Sequence, residues 1–175
     1  MRTAIFKNRR VDIFSQQKAT LLQATALGAV DWVPDRPGFL LYSSKAYSII
    51  RVAIADDHTE LRLALRLLLS ISKDIEIVCE TSNGQQAVDC VKHLQPDVLV
   101  MDIQMPVLDG LHATKQVAAL SVPTRVILMS TYAGSFISRQ AAAVGAHGFV
   151  PKDNIAEWLH QAIEKVHQGE DFFME

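Results

Sequence analysis

Several common signatures are missing from this chain. It has only two cysteines, Cys79 and Cys90, and they do not form a CxxC pair. Two cysteines make no disulfide framework, so both are expected as buried small apolar residues in a reducing, cytoplasmic setting. No apolar run reaches the ~18 residues of a membrane-spanning helix. Ala19–Val30 comes nearest, but Gln23 and Thr25 interrupt it, and Asp31-Trp32 follows where a leader peptide would carry small residues. No GxGxxG or Walker A sequence follows any apolar run, which argues against nucleotide binding through a glycine-rich loop. The net charge is −2, without the basic excess that nucleic-acid binding requires. Six histidines stand at positions 58, 93, 112, 147, 160 and 167. None lies at zinc-ligand spacing from a cysteine or another histidine, apart from His160 and His167 two turns apart, so zinc is not expected.

What is present is an ordinary globular composition, 49% hydrophobic and 21% charged over 175 residues, enough for one domain and an appendage. The charge is unevenly spread. Residues 1–50 hold seven Lys/Arg against three Asp, a net of +4; residues 51–175 hold ten Lys/Arg against sixteen acids, a net of −6. That shift sets a domain boundary near residue 50. Residues 1–50 carry no motif and are expected to be a poorly ordered extension, or an upstream stretch included by a wrong start site. Within them Gln17–Val30 reads as one helix, and Pro34, Pro37 and Gly38 as a turn.

From residue 51 onward, apolar runs alternate with helical periodicity. Strands are expected at Val52–Ala55, Ile75–Cys79, Val98–Met101, Val126–Met129 and Phe149–Val150. Helices are expected at Leu61–Ser70, with Thr59 as a cap, from Asn83-Gly84 to Leu94, at Gly110–Leu120, at Phe136–Val144 and from Ile155 to Val166. Pro96, Pro123, Gly145 and Gly169 mark the stops. Five β-α repeats imply an α/β fold, a doubly wound parallel sheet with helices on both faces.

The chemistry gathers at the carboxyl ends of the strands, where open parallel sheets bind ligands. The first strand ends in Asp56-Asp57, the third in Asp102, the fourth in Ser130-Thr131 and the fifth in Lys152. Carboxylates held close together need a cation to stay ionised. Mg²⁺ suits such oxygen ligands. Asp102 could then act as a carboxylate nucleophile toward a phosphoryl group, with Lys152 neutralising phosphoryl oxygens and Ser130 or Thr131 hydrogen-bonding one of them.

In these motifs the chain resembles the CheY-like receiver domains of bacterial two-component response regulators. The residues that carry the resemblance are Asp56-Asp57, Asp102-x-x-Met105-Pro106-x-x-Asp109-Gly110, Ser130-Thr131, and Gly145-Ala146-x-Gly148-Phe149-x-x-Lys152. They span about residues 51–168. The resemblance implies a flavodoxin-like, five-stranded sheet of order 2-1-3-4-5. It implies that Asp102 accepts the phosphoryl group from a phosphohistidine of a sensor histidine kinase. It further implies that Asp57, Asp102 and the backbone carbonyl of Gln104 bind Mg²⁺ directly, with Asp56 acting through water. Lys152 would pair with phosphoryl oxygens. Ser130, or Thr131 beside it, would be the switch hydroxyl, and Phe149 the switch aromatic. The output face would be helix 4, strand 5 and helix 5, also the candidate homodimer surface.

Asp56-Asp57-His58 and the ending Gln168-Gly169-Glu170-Asp171-Phe172-Phe173 look most like receivers that precede a LuxR-type helix-turn-helix domain. This points toward transcription regulation. Residues 169–175 then read as the start of a linker, with no output domain and no DNA binding by these residues alone. Two other readings compete. An aspartyl-phosphate phosphatase of the haloacid dehalogenase type would carry an acid two residues after the nucleophile, where this chain has Gln104. The chain is therefore not expected to be an enzyme. A phosphorylation-independent interaction module would have no use for the full acid set.

Overall fold

The structure is a computed structural model that describes residues 30–31, 41–42 and 49–174. The chain divides into two compact units, Met1–Tyr47 and Ser48–Glu175. In the first, Val30–Asp31 pairs antiparallel with Leu41–Tyr42. Val30, expected as the end of a helix, is therefore in a strand. Residues 17–29 of that expected helix and the Pro34-Pro37-Gly38 turn lie outside the described residues.

The second unit is built on one parallel sheet, its strands numbered here from Ile50. They are β1 (Ile50–Ala55), β2 (Ile75–Thr81), β3 (Val98–Asp102), β4 (Arg125–Ser130), β5 (Gly148–Pro151) and β6 (Phe172–Phe173). The helices are α1 (Thr59–Ser70), α2 (Gly84–Leu94), α3 (Gly110–Ala118), α4 (Ser135–Ala143) and α5 (Ile155–His167), with a short 3-10 turn at Lys152–Asn154. The sheet order is β2-β1-β3-β4-β5-β6, all pairs parallel. The expected 2-1-3-4-5 order is the one found. To it the structure adds β6, two residues from the stretch read as a linker.

All five residues of β3 are buried, as a strand with neighbours on both sides and helices on both faces must be. Its side chains alternate between two apolar layers. Leu99 and Met101 join Ala87, Val88 and Val91 of α2 and Ala113 and Val117 of α3. Val98 and Val100 join Leu65 and Leu69 of α1 and Leu159, Ile163 and Val166 of α5. Fully burying a side chain of this size is worth about 1.5–3 kcal/mol, so the central strands dominate the stability and fix the register.

Two local expectations change. Thr59 does not cap α1. The cap position is His58, which makes no side-chain capping bond, and Thr59 is already helical. The cysteines are not separate thiols. Cys79 on β2 and Cys90 on α2 meet sulfur to sulfur, their Cα atoms 6.8 Å apart. Packing α2 against the sheet edge creates that pairing, and spacing along the chain cannot reveal it.

Candidate functional site

Two strand ends bring the acids together, and a third adds a lysine. Asp56 follows the last residue of β1 and Asp102 is the last residue of β3, its neighbour in the sheet. Both are buried, at 0% and 2% exposure. Lys152, the first residue after β5, reaches over β4 to place Nζ 2.8 Å from Asp56 Oδ2 and 2.8 Å from Asp102 Oδ2. Asp57 stands beside them with its side chain partly exposed. Oxygens of Asp56, Asp57 and Asp102 and a nitrogen of His58 all lie within 4.8 Å of one another. That donor set, mostly carboxylate oxygen on one open side, fits a hard divalent cation.

The electrostatics of the cluster favour positive charge there. Burial raises the pKa of the Asp102 carboxyl. The hydrogen bond and charge of Lys152 pull the other way, and the neighbouring Asp56 adds to the rise. Burial also disfavours the Lys152 ammonium, yet Asp102 and Asp56 outweigh it and hold Lys152 above its ordinary value. One lysine thus serves two buried carboxylates, and negative charge is left over.

The remaining expected residues fall around this cluster. Gln104 is exposed in the loop after β3, and its backbone N–H donates to the Asp102 carboxylate. Ser130 ends β4, one residue beyond Met129, which is in register with Asp102. It is buried, and its Oγ accepts from the Tyr132 N–H at 3.0 Å. Thr131 is exposed. Phe149 is fully buried in the layer formed with α2 and α3. Asp109 caps α3 by accepting from the His112 N–H at 2.9 Å. Gly110 passes so close to the Asp102 carbonyl that a Cβ there would collide with it.

Sequence reasoning missed one neighbour. His58 Nδ1 lies 2.9 Å from Asp57 Oδ1 and 3.3 Å from Asp56 Oδ1. The available signal was its place directly after two acids at a strand end. A second group outside this site, Asp74, His160 and Glu164, was also unforeseen. Among the described residues no helix is long and apolar enough to cross a membrane.

Comparison with known proteins places this arrangement. The chain is 32% identical over 121 residues to the transcriptional regulatory protein LnrK of Bacillus subtilis, covering 69% of this chain and 55% of that protein. It is 40% identical over 121 residues to a protein-glutamate methylesterase/protein-glutamine glutaminase of Methanosarcina mazei, covering 68% of this chain and 32% of that one. The chain thus spans about half of one relative and a third of the other, and their outputs differ. Among solved structures, a LuxR-family DNA-binding response regulator from Staphylococcus aureus superposes with a TM-score of 0.63 at 28% identity, over 67% of this chain and 98% of that one. The sequence profile of the response regulator receiver domain matches residues 52–164. With this fold, an acidic pocket of Asp56, Asp57 and Asp102, and a match over most of its length, the chain belongs to the response regulator receiver family.

Proposed function

We propose that residues 51–168 act as a phosphoacceptor switch in which Asp102 takes a phosphoryl group from a sensor histidine kinase. The observation that carries this reading is Lys152 Nζ at 2.8 Å from both Asp56 and Asp102. It puts a fixed cation beside the one carboxylate that ends the central strand. Asp102 attacks phosphorus, the P–N bond to the kinase imidazole breaks, and an acyl phosphate forms on Asp102. Lys152 stays on the transferred oxygens. Asp57, Asp102 and the Gln104 carbonyl would hold Mg²⁺ directly, and Asp56 through water. When bound, the ion supplies the charge neutralisation that phosphoryl transfer requires.

The readout begins at Ser130. Its hydroxyl exchanges the Tyr132 N–H for a phosphoryl oxygen, with Thr131 as the neighbouring hydroxyl at the same strand end. Phe149, one strand over, is the aromatic partner of this switch. The α4/β5/α5 face then changes population between two states and offers a homodimer surface. Relatives with transcriptional output make transcription regulation the favoured downstream role, carried by residues outside this receiver. The receiver is read as a signalling module and not as a turnover enzyme, in a cytoplasmic setting. Residues 1–50 are read as an extension to it, and 169–175, apart from the two residues of β6, as the start of a linker.

The test is incubation of the full chain with acetyl phosphate and Mg²⁺, followed by intact mass. One phosphoryl adduct is expected in the wild type and none in Asp102→Asn. A wild-type chain that never gains the adduct would falsify the proposal.

A further inference from the structure

The loop that carries Asp56 and Asp57 is short, and one side chain from outside the acid cluster reaches into it. Asp56 follows β1, Asp57 and His58 come next, and α1 begins at Thr59. Arg62, partly buried one turn into α1, turns back toward the strand. Its Nη1 donates to the Asp56 backbone carbonyl at 2.6 Å, and its Nη2 to Thr59 Oγ1 at 3.3 Å. That carbonyl belongs to the peptide unit that joins the two acids.

Three features set Arg62 apart from an ordinary surface cation. The first is its partner. Among the described residues Arg62 forms no salt bridge, whereas Arg66, one turn further along, pairs with Glu80. The Arg62 charge is spent on a main-chain oxygen, as a charge-assisted hydrogen bond. The second is its place on the helix. The N-terminal end of a helix disfavours a cation, so α1 itself gives no reason for a guanidinium there. The third is what it holds. Lys152 pairs with Asp56 and Asp102 but not with Asp57, whose carboxylate meets only the exposed His58. The Asp56 N–H already donates to Thr81 at 3.2 Å, and the Asp56 carboxylate accepts from the His58 N–H at 2.8 Å. Its carbonyl is the remaining main-chain group, and Arg62 takes it. A peptide unit is planar, so a held carbonyl fixes the direction in which the Asp57 Cα leaves.

We infer that Arg62 is a positioning residue of the acidic pocket, a role that rests on the reading of that pocket as a cation site. By holding the Asp56–Asp57 peptide, Arg62 keeps Asp57 where its carboxylate can join Asp102 on a divalent ion. The sign of its effect separates positioning from plain electrostatics. A guanidinium beside the pocket repels a cation, so if charge alone mattered its removal would tighten binding. If Arg62 positions Asp57, its removal frees the loop and binding weakens. Groups that orient metal ligands are typically worth about 10- to 100-fold in affinity.

The experiment titrates the metal-stripped full chain with Mn²⁺, which shares the oxygen-ligand preference of Mg²⁺. Free Mn²⁺ is counted by its electron paramagnetic resonance signal, and Mg²⁺ is then added as competitor. The wild type is expected to bind one Mn²⁺ that Mg²⁺ displaces and that Asp57→Asn weakens. Arg62→Met keeps the apolar stem and loses both donors. It should bind Mn²⁺ at least about tenfold more weakly. Arg62→Lys, which returns one donor to the Asp56 carbonyl, should fall between the two. Thermal unfolding followed by circular dichroism checks the fold of each variant. Should Arg62→Met fail to fold, Arg62→Lys against the wild type decides, with weaker binding expected. Unchanged or tighter Mn²⁺ binding in the variant that folds overturns the role of Arg62 and leaves the cation site standing. A wild type that binds no displaceable Mn²⁺ overturns the cation site, and the role of Arg62 with it.

Discussion

At the scale of single residues, the acidic pocket carries a cost in stability. Burial and the charge of Asp56 raise the Asp102 pKa despite Lys152, so holding Asp102 ionised at neutral pH costs folding free energy. A carboxyl raised in the folded state stabilises most at low pH and loses that contribution as pH rises through its folded value. Asp102→Asn leaves one lysine facing one buried carboxylate, a balanced pair. The variant should therefore be more stable than the wild type in metal-free buffer at neutral pH, on the order of 1 kcal/mol. Added Mg²⁺ should narrow the gap by stabilising only the wild type. Urea unfolding of both chains with and without Mg²⁺ measures this, and a destabilised variant would sink the charge argument. Asp102 and Lys152 were legible because each ends or follows an apolar strand. The approach of His58 to Asp56 and Asp57 was not, because a side-chain rotamer decides it.

Whole elements show where local pattern suffices and where it does not. Asn83 was expected to open α2 and does so, its side chain accepting from the Gln86 N–H. Strand ends moved outward by a residue or two, since backbone pairing continues past the last apolar side chain. The start of α3 is set by close approach. Gly110 lies against the Asp102 carbonyl and donates its N–H to the Ile103 carbonyl at 2.8 Å. Gly110→Ala must push α3 off the end of β3, at a cost of about 1–3 kcal/mol and with slower phosphoryl uptake. Equilibrium unfolding and the rate of adduct formation give the two readings. Before β5, His147 Nδ1 accepts from the Val126 N–H at 3.1 Å, which requires the neutral ring. Burial first, then the Arg125 charge, lowers its pKa from the ordinary 6.5. The unfolded chain therefore takes up a proton that the folded chain resists. This contribution is complete above 6.5 and is lost as pH falls toward the lowered folded value. Unfolding midpoints measured across that range should drop, and His147→Gln, which keeps an acceptor, should flatten the decline by up to about one proton.

For the molecule as a whole, the alternation of β-α units made the doubly wound sheet readable, because each buried strand is a continuous apolar run. The exception is β6. Two residues carry no periodicity, and a pair of phenylalanines near a chain end reads equally well as a linker. What makes Phe172–Phe173 a strand is the free edge of β5, where the Phe172 N–H donates to His147 at 2.9 Å and the Met174 N–H to Phe149 at 3.0 Å. The two rings then part: Phe172 packs on the α1/α5 layer and Phe173 on the α2/α3 layer. This short strand therefore closes both layers at once, beside the strand that carries Phe149. Replacing both rings with alanine should cost about 2–4 kcal/mol, since each is half-buried and full burial is worth about 1.5–3 kcal/mol. The amides of Phe172 and Met174 should lose protection in hydrogen exchange before those of β3. If the strand is instead a frayed tail, the double substitution will leave the unfolding midpoint where it was. If it is part of the sheet, the midpoint will fall, and the newly bare β5 edge will promote self-association measurable by light scattering.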